Sequence, residues 1–195
     1  MDPFYSFDAI LFPADGRPPS VVPLMSSPAS FTDPHGLQAS QNTARVPHPE
    51  VYMDYVAENV PRAWHHQLVE ALDGMNKKFT NPYIIYFPVI SRDGMPFPIN
   101  KAIQEMQGRM FVKEYAWRGN IVVAKYSDGR FSQMTHASMA DFPILKNYLS
   151  THASPIKVSE PSSVAAAAPV ASSAENVHST SEAAPQSENR EFTYQ

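Results

Sequence analysis

His65 and His66 are adjacent, and His66 stands four residues before Glu70. If this stretch is helical, His66 and Glu70 share a face and offer two ligands to a divalent metal. A site needs a third ligand, and the spacing names none; His136, on the expected hairpin, is no more than a guess at one. His65, His66 and His136 are therefore the side chains a small enzyme or small-ligand-binding domain would use, as bases or as ligands.

Acid–base catalysis calls for two convergent carboxylates. Asp93 and Asp128 each precede a glycine, and that spelling belongs to turns. Asp141 precedes Phe142-Pro143, where a helix would begin and a carboxylate would cap it. With those roles filled, little remains to build a carboxylate pair. There is no Gly-x-Ser-x-Gly nucleophile elbow, no Walker-type loop and no Gly-x-Gly-x-x-Gly. Arg118-Gly119 ahead of an apolar run resembles the start of an RNA-recognition strand, but Asn120 and Val122 stand where base-stacking aromatics belong. A turn leading into a core strand, with Trp117 packed at the domain edge, explains the same residues. Ser27-Pro28 has the form of a proline-directed phosphorylation site. No catalytic, cofactor-binding or metal residue is assigned, and no cofactor is implied.

The elements that would carry these residues lie in the middle of the chain. Of its 195 residues 19 are proline and none is cysteine. That excludes disulfides and thiolate chemistry and favours a reducing compartment, cytoplasmic or nuclear. The opening residues lack the basic and apolar runs of a secretory signal, and no stretch reaches the roughly 18 apolar residues of a membrane span. The net charge of −4 comes mostly from the two ends, leaving the middle close to neutral. A neutral core lacks the positive field that nucleic-acid binding draws on.

Residues 1–47 are rich in proline and serine and read as a disordered tail. The apolar cluster from Phe4 to Phe12 is either a partner-binding motif, an arm docked on the core, or idle. Residues 153–195, rich in alanine, serine and glutamate and cut by prolines, read as a second disordered tail. Residues 48–152 hold both tryptophans and most of the aromatics, and form the expected compact domain.

Within it, Trp64, Leu68, Leu72, Met75 and Phe79 recur at helical spacing, which predicts a helix over residues 62–79 with Trp64 and Leu68 buried. Val51 to Glu58 is a shorter helical or irregular piece. Tyr83 to Phe87 predicts a buried strand. Asn100 caps a short helix that Gly108 ends. Ile121 to Tyr126 predicts a strand, turned back at Asp128-Gly129 through a two-residue hairpin that pairs Tyr126 with Phe131 and Val123 with Met134. Asp141 opens a last helix with an Ile144, Leu145, Tyr148, Leu149 stripe. The expected fold class is thus α+β, one small domain with a β-hairpin and about three helices between disordered tails. The expected function is a non-enzymatic protein-interaction or regulatory module whose partner is another protein. The alternatives are the histidine-based enzyme or ligand binder and, third, a nucleic-acid binder.

Overall fold

The computed structural model describes residues 5–28, 45–131 and 133–158. All belong to the first of two units, Met1–Pro161; the second, Ser162–Gln195, lies outside the described residues. Seven strands and two α-helices follow one another: β1 (Tyr5–Phe12), β2 (Ser20–Pro28), β3 (Arg45–Pro47), β4 (Trp64–Val69), β5 (Tyr83–Pro88), α1 (Lys101–Gln107), β6 (Ile121–Tyr126), β7 (Met134–Thr135) and α2 (Phe142–Thr151). The strands form one antiparallel sheet in the order β3-β2-β1-β6-β5-β4, with β7 on the flank of β6 beyond β1. The fold is α+β, as expected, with two α-helices among the described residues instead of about three.

The first correction concerns the N-terminal segment. Residues 5–28 are not a tail: β1 pairs with β6 and lies inside the sheet, and β2 pairs with β1 over seven residue pairs. Ala9, Ile10, Phe12 and Leu24 are fully buried. Two proline-flanked runs, marginal alone, become strands because each borrows a partner's hydrogen bonds and buries one face. Asp15-Gly16 turns the hairpin, with Gly16 at φ 90° and the Asp15 carboxylate accepting from Arg17 N at 3.0 Å. The arm from Phe4 to Phe12 is thus, from Tyr5 onward, part of the core itself. At the other end the packed chain runs past residue 152: Ser154 is buried and its N–H donates to Tyr115 O. The disorder expected of residues 29–44 and 159–195 falls outside the described residues.

The second correction is the long helix. Residues 64–69 are strand β4, paired with β5 residue for residue from Trp64↔Pro88 to Val69↔Tyr83. Apolar residues at helical spacing also place Trp64, His66 and Leu68 on one face of a strand, so periodicity over a short run does not choose between the two. Two backbone facts decide against the helix: Arg62 and Gly74 are left-handed, at φ 64° and 75°. Asp73-Gly74 is a turn in the middle of the expected helix.

β5 is buried throughout because it is sandwiched. Tyr83, Ile85 and Phe87 face a core formed with Ile10, Phe12, Ile103, Trp117, Leu145 and Leu149 under the two helices. Ile84 and Tyr86 face a second core with Leu24, Trp64, Val122 and Tyr126. A strand covered on both faces reads as a continuous apolar run. α1 has its expected ends: the Asn100 side chain accepts from Ile103 N at 3.1 Å, and Gly108 leaves the helix at φ 48°.

The third correction is the hairpin after β6. β7 holds only Met134 and Thr135, opposite Tyr126 and Lys125, so the connection is a seven-residue loop rather than a two-residue turn. Ser127 N donates to Gln133 O, and Phe131 N to Asp128 O. The left-handed residue is Phe131, φ 54°, not Gly129. Val123 pairs with Ile10 and Ile85 instead of Met134, while Phe131 does meet the Tyr126 ring, edge to face at 5.5 Å. No helix among the described residues is long and apolar enough to cross a membrane.

Candidate functional site

The three histidines do not converge. On a strand successive side chains point to opposite faces, so the His65 ring lies against Phe87 on one side of the sheet and the His66 ring against Tyr86 on the other. His66 is half-buried; that burial, with the neighbouring charge of His65, lowers its pKa. Its spacing to Glu70, one helical turn, becomes about 13 Å of extended chain. His136 stands beside β1, its Nδ1 3.1 Å from an Asp8 carboxylate oxygen. Among the described residues no three His, Cys, Asp or Glu side chains are grouped to hold a metal ion.

The carboxylates keep mostly local roles. Asp93 accepts from Met95 N at 3.0 Å and Ser91 Oγ at 2.8 Å, and these bonds hold its pKa below the ordinary value. Asp128 accepts from Arg130 N within its loop. Asp141 departs from the capping role expected of it: at the start of α2 its side chain makes no capping hydrogen bond and turns back towards Ser138. Its Oδ2 accepts from Ser138 N at 2.8 Å. Its Oδ1 accepts from Tyr83 Oη and Lys125 Nζ, each at 2.8 Å. Burial opposes the charge on Asp141, but the Lys125, Ser138 and Tyr83 bonds outweigh it and lower the pKa. The Tyr83 hydroxyl is pushed well up by burial and by the carboxylate it donates to. A carboxylate whose oxygens are both engaged ties β5 and β6 to α2. β6 itself is buried from Ile121 to Ala124, so it offers no face on which bases could stack.

Three arrangements escaped the sequence reading. The first is a hydrogen-bonded chain: Ser27 Oγ lies 2.8 Å from His48 Nε2, and His48 Nδ1 lies 2.9 Å from Glu50 Oε1. An ionised carboxylate only accepts, which places the proton on Nδ1 and leaves Nε2 of the neutral ring to accept from the hydroxyl. Ser27 is therefore not in a flexible tail but in β2, facing β3. His48 and Glu50, two residues apart, held the only legible hint.

The second is an open groove of about 660 Å³ whose walls include Glu50, Val51, Val56, Val60 and Trp64. Tyr55, Asn59 and Arg62, at φ 61°, 57° and 64°, are all left-handed within eight residues of the segment that frames it. Val51 and Tyr55 are exposed, at 69% and 74%. Glu50 Oε2 is buried with no hydrogen-bond partner among the described residues. β4 borders this region and has no strand on its outer side among the described residues.

The third is a cavity of about 260 Å³ beside Arg118, between β5, the loop after it and residues 154–158. Among the described residues Arg118 is the one charged side chain in its wall. Trp117 is buried beneath it, its Nε1 donating to His152 O at 2.9 Å.

Comparison with protein-family models, with curated proteins and with solved structures finds no match for this chain.

Proposed function

We propose that this domain is a non-enzymatic interaction module that takes up an extended segment of another protein along the groove at residues 50–64 and the outer edge of β4. The observation that carries this reading is the cluster of three left-handed, non-glycine residues around an open recess. Such conformations cost of order 1 kcal/mol each and persist where surrounding structure, often a ligand clamp, holds them. Exposed Val51 and Tyr55 supply apolar anchors, the outer rim of β4, which no strand among the described residues covers, supplies backbone groups for strand addition, and the buried Glu50 oxygen suits a basic side chain on the partner. The test is affinity capture by the full chain, followed by mass spectrometry, with wild type beside a Val51→Asp/Tyr55→Asp variant and beside Leu68→Asp. All three sites are exposed, so the fold should hold. The prediction is loss of the same partner from both variants, with slowed amide exchange at β4 in the wild-type complex. A partner retained by both variants places the docking surface elsewhere.

A second reading rests on Ser27, His48 and Glu50, whose contacts run in the order nucleophile, base and orienting carboxylate. In it Ser27 Oγ attacks an ester carbonyl carbon, its proton passes to His48 Nε2 and then to the departing alcohol. Water later reverses the acylation and releases the acid. A fluorophosphonate probe should then label Ser27, with labelling abolished in His48→Gln and reduced in Glu50→Gln. Intact-mass spectra of wild-type protein without an adduct would end this reading and leave the three residues as a link between β2 and the Pro49–Tyr52 turn.

A further inference from the structure

The guanidinium of Arg118 is held by one bond: Nη1 donates to Phe97 O at 3.0 Å. Its Nε and Nη2 are buried and have no hydrogen-bond partner among the described residues. These two nitrogens form the side-on edge of the guanidinium, where two N–H bonds point the same way, the spacing that a carboxylate engages with both oxygens at once. Buried cationic donors without acceptors are strongly unfavourable, and proteins rarely keep them unless something is meant to meet them.

The backbone that carries Arg118 is pinned. Asn100 N donates to Trp117 O and Gly119 N to Pro98 O, each at 2.8 Å. Asn100 Nδ2 donates to both Phe12 O and Gly119 O at 2.9 Å. Gly119 is left-handed at φ 67°, and a Cβ there would stand 2.5 Å from Pro88 Cγ. The guanidinium thus projects from a turn that cannot relax away from β5.

Among the described residues the adjoining walls are mostly apolar, with Phe87, Ile90, Phe97, Ile156 and Val158 among them, and carry no carboxylate. A cavity of about 150 Å³ accommodates benzene; this one, at about 260 Å³, has room for one ring or a short branched chain with its acid group. A single cation set in apolar walls favours a monoanion with an apolar body over phosphate or a dicarboxylate.

We infer that the cavity binds a small monocarboxylic acid, its carboxylate bridging Nε and Nη2 of Arg118 and its apolar body resting on Phe87, Phe97, Ile156 and Val158. The site is separate from the groove at residues 50–64 and from Ser27, and stands or falls independently of both.

The experiment titrates the full chain with phenylacetate, its neutral analogue phenylacetamide and inorganic phosphate, followed by calorimetry and by the Arg118 Nε–H resonance. Phenylacetate should bind one per chain, roughly tenfold or more tighter than the amide, the worth of one charge-assisted hydrogen bond. The Nε–H signal should move downfield with the acid alone. Arg118→Met should remove that tenfold preference while leaving the amide's affinity in place. Val158→Trp, which fills the cavity from its rim and leaves Arg118 untouched, should block both compounds and serves as the check should Arg118→Met fail to fold. Equal affinity for acid and amide, tighter binding of phosphate than of phenylacetate, or no saturable binding of phenylacetate at millimolar concentration would each overturn the assignment.

Discussion

β6 is bounded by two glycine turns, Arg118-Gly119 before it and Asp128-Gly129 after it, and they behave in opposite ways. Gly119 is left-handed and packed so closely on Pro88 that a single added carbon would collide with its ring. Gly129 is not left-handed, and among the described residues an added carbon there would meet only Glu70 Oε1, at 3.9 Å. β4, on the far side of β5, repeats the contrast. At the Gly119 end Trp64, opposite Pro88, is 4% exposed; towards the Gly129 end Leu68, opposite Ile84, is 42% exposed. One end of this block of strands is closed by loops that cross it, and the other is open on the same face. A residue's constraint follows from what crosses over it more than from its own type or its turn signature.

The largest test of that contrast is in β4. Trp64→Ala should cost about 3–5 kcal/mol, as large buried aromatics do. Leu68→Ala should cost under about 1 kcal/mol, since little apolar area leaves the core. Denaturant melts of the two variants read this directly, and comparable losses would show the open end to be closed.

Asp141 is the exception at the open end, buried on the helix face. Asp141→Asn should cost on the order of 2–3 kcal/mol, because Lys125 and Tyr83 lose the charge they donate to. The pH profile carries the sign. A lowered folded pKa means that the carboxylate's contribution is complete above the unfolded value near 3.8 and fades as pH falls below it. Wild type and variant should therefore converge in acid. In alkali, the raised pKa values of Tyr83 and Tyr86, and of Tyr126 at about 12, mean stability that is full below pH 10 and declines above it. Melts of wild-type protein across pH 2–11 check both limbs.

Gly119→Ala should cost about 1–3 kcal/mol or somewhat more, combining left-handed strain with the clash on Pro88. Its melt also sharpens the Arg118 assignment, since a loosened turn should weaken phenylacetate binding in the material that stays folded. The smallest effect is at the other turn. Gly129→Val should change stability by under about 0.5 kcal/mol, in line with an exposed loop position, although Asp128-Gly129 is spelled like a hairpin turn.

The chain contains four Asp-Gly dipeptides, at 15–16, 73–74, 93–94 and 128–129. The glycine is left-handed in the first three and not in the fourth. Asp15-Gly16 between two apolar runs was a legible sign of the β1–β2 hairpin, and Asp73-Gly74 a legible objection to a helix over 62–79. Both were outweighed by proline content in one case and by periodicity in the other.

What local chemistry alone determined is β5, α1 with its Asn100 cap and Gly108 end, β6 and the buried stripe of α2. Each depends on contacts within a few residues, or on a run so apolar that burial is the only outcome. Tertiary structure decided the rest. β1, β2 and β4 exist as strands because neighbours complete their hydrogen bonds, and no local propensity records a neighbour that is distant in sequence. His65 and His66 separated once the chain under them became extended. The Arg118 fork is visible only after Phe97 O has taken one nitrogen and the fold has left the other two without an acceptor, for an unmet hydrogen bond is a property of the surroundings and not of the residue.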